Sequence, residues 1–137
     1  MCQRLISPLV PRTCAGSFPG RRDTIRDARV FLAAFLGSSV VTDDAVLLAS
    51  ELCANAIAYS ASGQPGGTFT LRARLTGDGH LHAEVEDLGS PWNGNLAAAR
   101  SPHGLYLLRQ LSADCGARPG FRGWVTWFTI TVPAACP

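Results

Sequence analysis

Glu51 and Asn55 are the first residues in this sequence whose types and spacing could do chemistry. They interrupt an apolar stretch, Asp44 to Ser60 (DAVLLASELCANAIAYS). Its Leu48, Leu52, Ala56 and Tyr59 recur at helical spacing and form a stripe suited to face a core. Four residues make about one helical turn, so the carboxylate and the carboxamide leave the same face about 40° apart. At the margin of a buried stripe such groups need a metal ion, water or a ligand, because unpaired polar burial is costly. Two other places carry chemistry. Asp87-Leu88-Gly89-Ser90-Pro91 closes an alternating stretch on a carboxylate and turns on a glycine. His103-Gly104-Leu105 puts a glycine where an irregular stretch enters a helix pattern, and the first-turn N–H groups of a helix are a ready anion site. Each has a plainer reading on its own: a solvated helix edge, a strand-ending turn, a helix start.

Period and punctuation delimit the elements that must position these residues. Thr13–Phe18 reads as a short edge strand, and Pro19-Gly20 breaks the chain after it. A helix follows with Ile25, Ala28, Leu32, Phe35 and Leu36 on one face, stopped at Gly37. Thr42 is the expected N-cap of the second helix, with Asp43 and Asp44 in its first turn, where the dipole favours negative charge. That helix runs to about Tyr59, before the turn-rich Ser60–Gly67. Thr68–Leu75 alternates, Gly77-Asp78-Gly79 turns, and Leu81–Asp87 returns with His82, Glu84 and Glu86 opposite Leu81, Ala83 and Val85. Leu88–His103 is a long loop, of the kind that is usually functional. Gly104–Ala113 has helical period (Leu105, Leu108, Leu111), and Trp124–Val132 reads as a final strand. This order predicts an α+β fold, a two-layer α/β sandwich with helices on one face of a mixed, mostly antiparallel sheet. The expected organisation is a loose tail over 1–12, one domain over 13–133 and a short tail over 134–137.

Composition narrows the function classes. A chain of 137 residues can bury a core of its own. Its formal net charge of +2 is too small to argue for nucleic acid or an anionic membrane as partner. Cys2, Cys14, Cys53, Cys115 and Cys136 form no CxxC pair and no Cys/His ligand spacing, and their odd count, with Cys53 set in the helix pattern, favours reduced thiols. The opening apolar patch is broken by Pro8 and Pro11, and no apolar run approaches the roughly 20 residues of a membrane span. A soluble, cytoplasmic protein is expected.

In order and spacing, Glu51-Leu-Cys-Ala-Asn55-Ala56, Asp87-Leu-Gly89-Ser-Pro91 and His103-Gly104-Leu105 resemble the N box, G1 box and G2 box of the GHKL (Bergerat-fold) ATPases. The likeness is strongest to the bacterial anti-sigma factor serine/threonine kinases and spans roughly Phe18 to Val132. The resemblance implies ATP and Mg²⁺ as cofactors. It assigns Asn55 to the metal and Glu51 to general-base catalysis on the acceptor hydroxyl, a role that suits a carboxylate near the γ-phosphate. It gives Asp87 to the adenine amino group, Gly89 to close approach of the base, and Gly104 with Leu105 to the phosphate-facing helix start. The Leu88–His103 loop becomes the ATP lid. Expected partners are a sigma factor and a protein antagonist phosphorylated on Ser or Thr, with homodimerisation as a family habit. The apolar first helix with Arg22, Arg26 and Arg29 is a candidate partner surface.

Two departures bear on turnover. Pro102 stands at the first glycine position of the G2 box, which removes one N–H donor and stiffens the hinge. Many relatives read Thr-Val-Trp on the final strand where this chain has Val125-Thr126-Trp127, so the hydroxyl moves to the opposite side of the strand. The reading is an anti-sigma-type protein kinase, with a non-catalytic protein-binding regulator on the same fold as the alternative.

Overall fold

The computed structural model describes residues 11–38, 41–89 and 102–131. Five strands, β1 (Arg12–Pro19), β2 (Thr68–Leu75), β3 (His80–Glu86), β4 (Asp114–Pro119) and β5 (Trp124–Thr131), form one sheet. Their order is β1-β2-β3-β5-β4, and every neighbouring pair is antiparallel. The expected mixture of strand directions is therefore absent from the described residues. Three helices, α1 (Ile25–Leu36), α2 (Thr42–Tyr59) and α3 (Pro102–Leu111), supply the second layer.

Strand alternation sets which side the helices cover. Ala73 pairs with Ala83 and Ala83 with Phe128, while Leu81 pairs with Ile130, so these side chains share one face. Leu32 from α1, Leu48 and Leu52 from α2 and Leu108 from α3 join them in one buried cluster. Truncating any of these leucines to alanine costs about 2–5 kcal/mol in comparable cores. Gly37 ends α1 as expected, but with φ 69° and ψ −155° it lies outside the left-handed helical region, in a conformation that glycine adopts and other residues rarely do. Thr42 is not the cap of α2. Val41 holds that position, and Thr42 is the first helical residue, its hydroxyl donating to the Gly37 carbonyl at 2.9 Å. That bond closes the tight connection between the helices instead of satisfying an α2 amide.

The face turned away from the helices is polar, as the alternation predicts, but it is not open. Glu84 and Glu86 are only 7% and 6% exposed. Arg72 donates from Nε to Glu84 at 2.7 Å and from Nη2 to Glu86 at 2.8 Å, and Arg118 donates to Glu84 at 2.8 Å. His82 Nε2 lies 2.9 Å from Glu84, and its ring stacks on Trp127 with centroids 5.6 Å apart. Burial pushes both carboxyls up. Hydrogen bonds from His82 and Arg72 more than offset it for Glu84, and those from the Arg122 amide and Arg72 do so for Glu86, so both end below their ordinary value.

β4 lies where no strand was expected. DCGARP has neither an apolar run nor branched residues, so its strand character comes from pairing with β5 and not from propensity. β1 begins at Arg12, inside the stretch expected as a tail; residues 1–10 and the 134–137 tail lie outside the described residues. Cys14, Cys53 and Cys115 are free thiols, and burial raises Cys53 to about 12, leaving it a protonated core residue at neutral pH. Among the described residues no helix is long and apolar enough to cross a membrane.

Candidate functional site

The central helix, α2, buries Ala45, Leu48, Ala49, Leu52, Cys53 and Ala56, which fixes its rotation about its axis. Glu51 and Asn55 then fall at the edge of the buried stripe, both half-buried. They line one cavity of about 430 Å³ together with Arg22, Ile25, Ala54 and Tyr59. Within that wall the Asn55 side-chain nitrogen is buried and has no hydrogen-bond partner among the described residues. A buried amide in that state costs about 1–3 kcal/mol. Rotating the carboxamide by half a turn exchanges its nitrogen and oxygen, so this corner can present an acceptor to a cation or a donor to an anion. One neutral oxygen ligand fits a Mg²⁺ ion that takes its other ligands from phosphates and water, and it needs no cage of carboxylates.

The carboxylate at the end of β3 is built differently. Asp87 is 5% exposed. Its Oδ1 accepts the Gly89 amide at 2.7 Å and the Trp124 amide at 3.2 Å. Oδ2 has no partner among the described residues, and an ionised carboxylate can only accept, so it suits an N–H donor from a ligand. Burial, helped by the nearby Glu86 charge, lifts the Asp87 carboxyl above its ordinary value against the two backbone donors. Gly89 has φ 96°, and a Cβ there would meet only Gly123 Cα, at 3.8 Å. The turn is left-handed and open on its outer side, as close approach of a planar ligand requires.

Two contacts clamp this turn to the end of α2. The Ala61 amide donates to the Gly89 carbonyl at 2.9 Å, and the Leu88 amide donates to the hydroxyl of Ser62 at 3.1 Å. Ser62 is wholly buried in the 3₁₀ turn Ala61–Gly63 that follows α2. From the other side the β4–β5 turn presses in: a Cβ on Gly123 would lie 2.3 Å from the Gly89 nitrogen and 2.5 Å from the Asp87 carbonyl oxygen. That turn is itself held by the Arg122 amide, which donates to Glu86 at 2.7 Å.

α3 begins at Pro102, two residues earlier than the period indicates, because proline at a first helical position needs no amide partner. Gly104 is buried in the first turn and Leu105 is half-buried. Thr126 pairs with Val85 and takes the helix-facing side of β5, whereas Val125 pairs with Glu86 on the outer side. Val125 and Thr126 therefore face opposite sides of the sheet, with the Thr126 hydroxyl on the side where the helices lie.

The structure thus gathers Glu51 and Asn55 into one cavity and ties the Asp87–Gly89 turn to the end of the same helix. Asp87, Gly89, Gly104 and Leu105 do not line that cavity. The expected lid, Leu88–His103, lies outside the described residues from 90 to 101. Arg22, Tyr59, Ser62 and Gly123 were not expected at the site. For Ser62 and Gly123 no signal sets them apart from other turn residues. Arg22, grouped with Arg26 and Arg29 as a candidate partner surface, does share a surface hollow with them, and it lines the Glu51 cavity as well.

Comparison with known proteins bears on this arrangement. A family model described as a histidine kinase-like ATPase domain matches residues 18–130. Among solved structures, the crystal structure of the RsbU and RsbW domains of Rv1364c from Mycobacterium tuberculosis is similar with a TM-score of 0.64 and 23% sequence identity. The match covers 88% of this chain and 32% of that one. At that identity the likeness is one of fold. No curated protein matches significantly.

Proposed function

Since this chain belongs to the histidine kinase-like ATPase domain family, we propose that it binds ATP with Mg²⁺ and acts as an anti-sigma-type protein kinase. The observation that carries the reading is the buried, unpaired amide of Asn55, one turn from Glu51 in the wall of a shared cavity. Asn55 would hold a Mg²⁺ ion through its one carboxamide oxygen, and the charge supplied there would offset that of the phosphates. Asp87 Oδ2 accepts the adenine amino group, and the Gly89 turn lets the base lie against the backbone. Gly104 and Leu105 stand at the α3 end toward the phosphates. Glu51 takes the proton of an acceptor Ser or Thr hydroxyl as the new O–P bond forms and the bond from the terminal phosphorus to ADP breaks. The regulator part of the reading, with a sigma factor as one partner and a protein antagonist as the phosphate acceptor, is supported by the three motif boxes. It is supported also by the fold shared with a chain that holds an RsbW domain.

Pro102 favours a second reading, a regulator that binds nucleotide or partner without turnover. As the first residue of α3 it has no N–H to offer a phosphate. Calorimetric titration with ATP and Mg²⁺ tests the site: the wild type is expected to bind and Asp87→Asn to lose most of the affinity. No heat from the wild type, or equal heat from the variant, overturns it. Glu51→Ala is then expected to bind ATP yet transfer no phosphate to the antagonist, and transfer at the wild-type rate removes Glu51 from the chemistry.

A further inference from the structure

We propose that Arg22 is a phosphate-gripping residue of this site, the cation that meets the terminal phosphate of a nucleoside triphosphate beside Glu51 and so separates ATP from ADP. The inference rests on the ATP reading above and assigns to that pocket a residue outside the three motif boxes.

Three observations carry it. First, Arg22 lines the same cavity as Glu51 and Asn55. Second, its guanidinium has no ion pair or hydrogen bond among the described residues, whereas its neighbours on the chain are engaged: Arg21 pairs with Asp23 at 3.1 Å. The other arginines with described partners are committed elsewhere, Arg12 to the Phe35 carbonyl and Arg72 and Arg118 to Glu84 and Glu86. Third, the backbone under Arg22 is anchored. It opens the 3₁₀ turn Arg22–Thr24, whose Thr24 is 3% exposed. The Thr24 hydroxyl reaches the Pro19 carbonyl at 2.5 Å and the Arg21 carbonyl at 2.8 Å, and the Gly20 amide donates to Gly67 at 2.9 Å. An exposed, uncommitted cation thus stands on a fixed base at the cavity wall.

Charge explains what it is for. A polyphosphate entering this cavity meets the Glu51 carboxylate, which repels it. A guanidinium on the α1 side supplies both the missing charge and a planar pair of donors that matches two phosphate oxygens. ADP has no terminal phosphate to reach that far, so the contact discriminates between the two nucleotides.

The test is the affinity of ATP and of ADP, each with Mg²⁺, for the wild type, Arg22→Ala, Arg22→Lys and Arg21→Ala, read by calorimetry. Arg22→Ala is expected to weaken ATP by about tenfold or more while ADP changes less than about twofold. Lys should recover part of the loss, since it restores the charge without the fork. Arg21→Ala should match the wild type. Equal weakening of ATP and ADP, or unchanged ATP affinity in Arg22→Ala, overturns the inference and leaves the ATP reading standing. A wild type that binds neither nucleotide overturns both. Thermal melts confirm that the exposed substitutions leave the fold intact, and should Arg22→Ala fail to fold, Arg22→Gln carries the same comparison.

Discussion

Asn55 holds a buried amide nitrogen that no described group satisfies, on a helix whose other inward positions are alanine, leucine and cysteine. Residues that are unfavourable for the folded state and kept at a cavity wall are what a binding site leaves in a structure. The expected outcome of Asn55→Ala follows from that. Removing the unpaired amide relieves about 1–3 kcal/mol while giving up some packing, so the melting temperature of the nucleotide-free protein should stay level or rise. The dependence of ATP affinity on Mg²⁺ should disappear in the same variant. Melting curves and titrations with and without the metal check both halves, and a drop of many degrees would make Asn55 a packing residue.

At the scale of elements, the site depends on two turns pressed together, the Asp87–Gly89 turn after β3 and the β4–β5 turn that carries Gly123. The contact is backbone against backbone, with no flexible side chain to yield. Gly123→Ala would put a methyl 2.3 Å from the Gly89 nitrogen, so the turns must separate. Overpacking of this kind costs roughly 1–3 kcal/mol. Gly37→Ala differs in kind: nothing lies within 4 Å of its Cβ, so its cost is backbone strain alone, at φ 69° and ψ −155°, roughly 1–3 kcal/mol. Urea unfolding should show both variants destabilised. Nucleotide affinity should fall in Gly123→Ala alone, because only that turn bears on Asp87. Wild-type nucleotide affinity in Gly123→Ala would show that the two turns are independent.

For the whole molecule the carboxylates decide the response to acid, and they pull in opposite directions. Glu84 and Glu86 lie below the ordinary value of 4.5, so the stability they contribute is full above that value and lost as pH falls through their lowered ones. Asp87 lies above its ordinary 3.8, so its ionisation costs stability, a cost absent below 3.8 and complete above the raised value. The outer-face pair should dominate, since it is linked to Arg72 and, through Glu84, to Arg118. Replacing both with glutamine is expected to lower stability at pH 7, with the gap to wild type narrowing below about pH 4.5. Urea unfolding across a pH series measures this; a gap constant from pH 7 to pH 3 would mean that the network acts through packing alone.

Local order was legible because local order obeys short-range rules. Helical period set Ile25–Leu36 and the Glu51–Asn55 face, alternation set the β2–β3 hairpin, and Gly37 stopped α1 where expected. The tertiary structure alone decided which residues those faces meet. Ser62 reaches Leu88 across 26 positions, Trp124 reaches Asp87 across 37, and Arg122 reaches Glu86 across 36. It also turned β4 into a strand by giving it a partner, buried a polar strand face under arginine, and put Arg22 in the wall of the Glu51 cavity as well as beside Arg26 and Arg29. Spacing along the chain constrains only atoms a turn or two apart; burial and charge pairing depend on which distant segments pack, and that is a property of the folded whole.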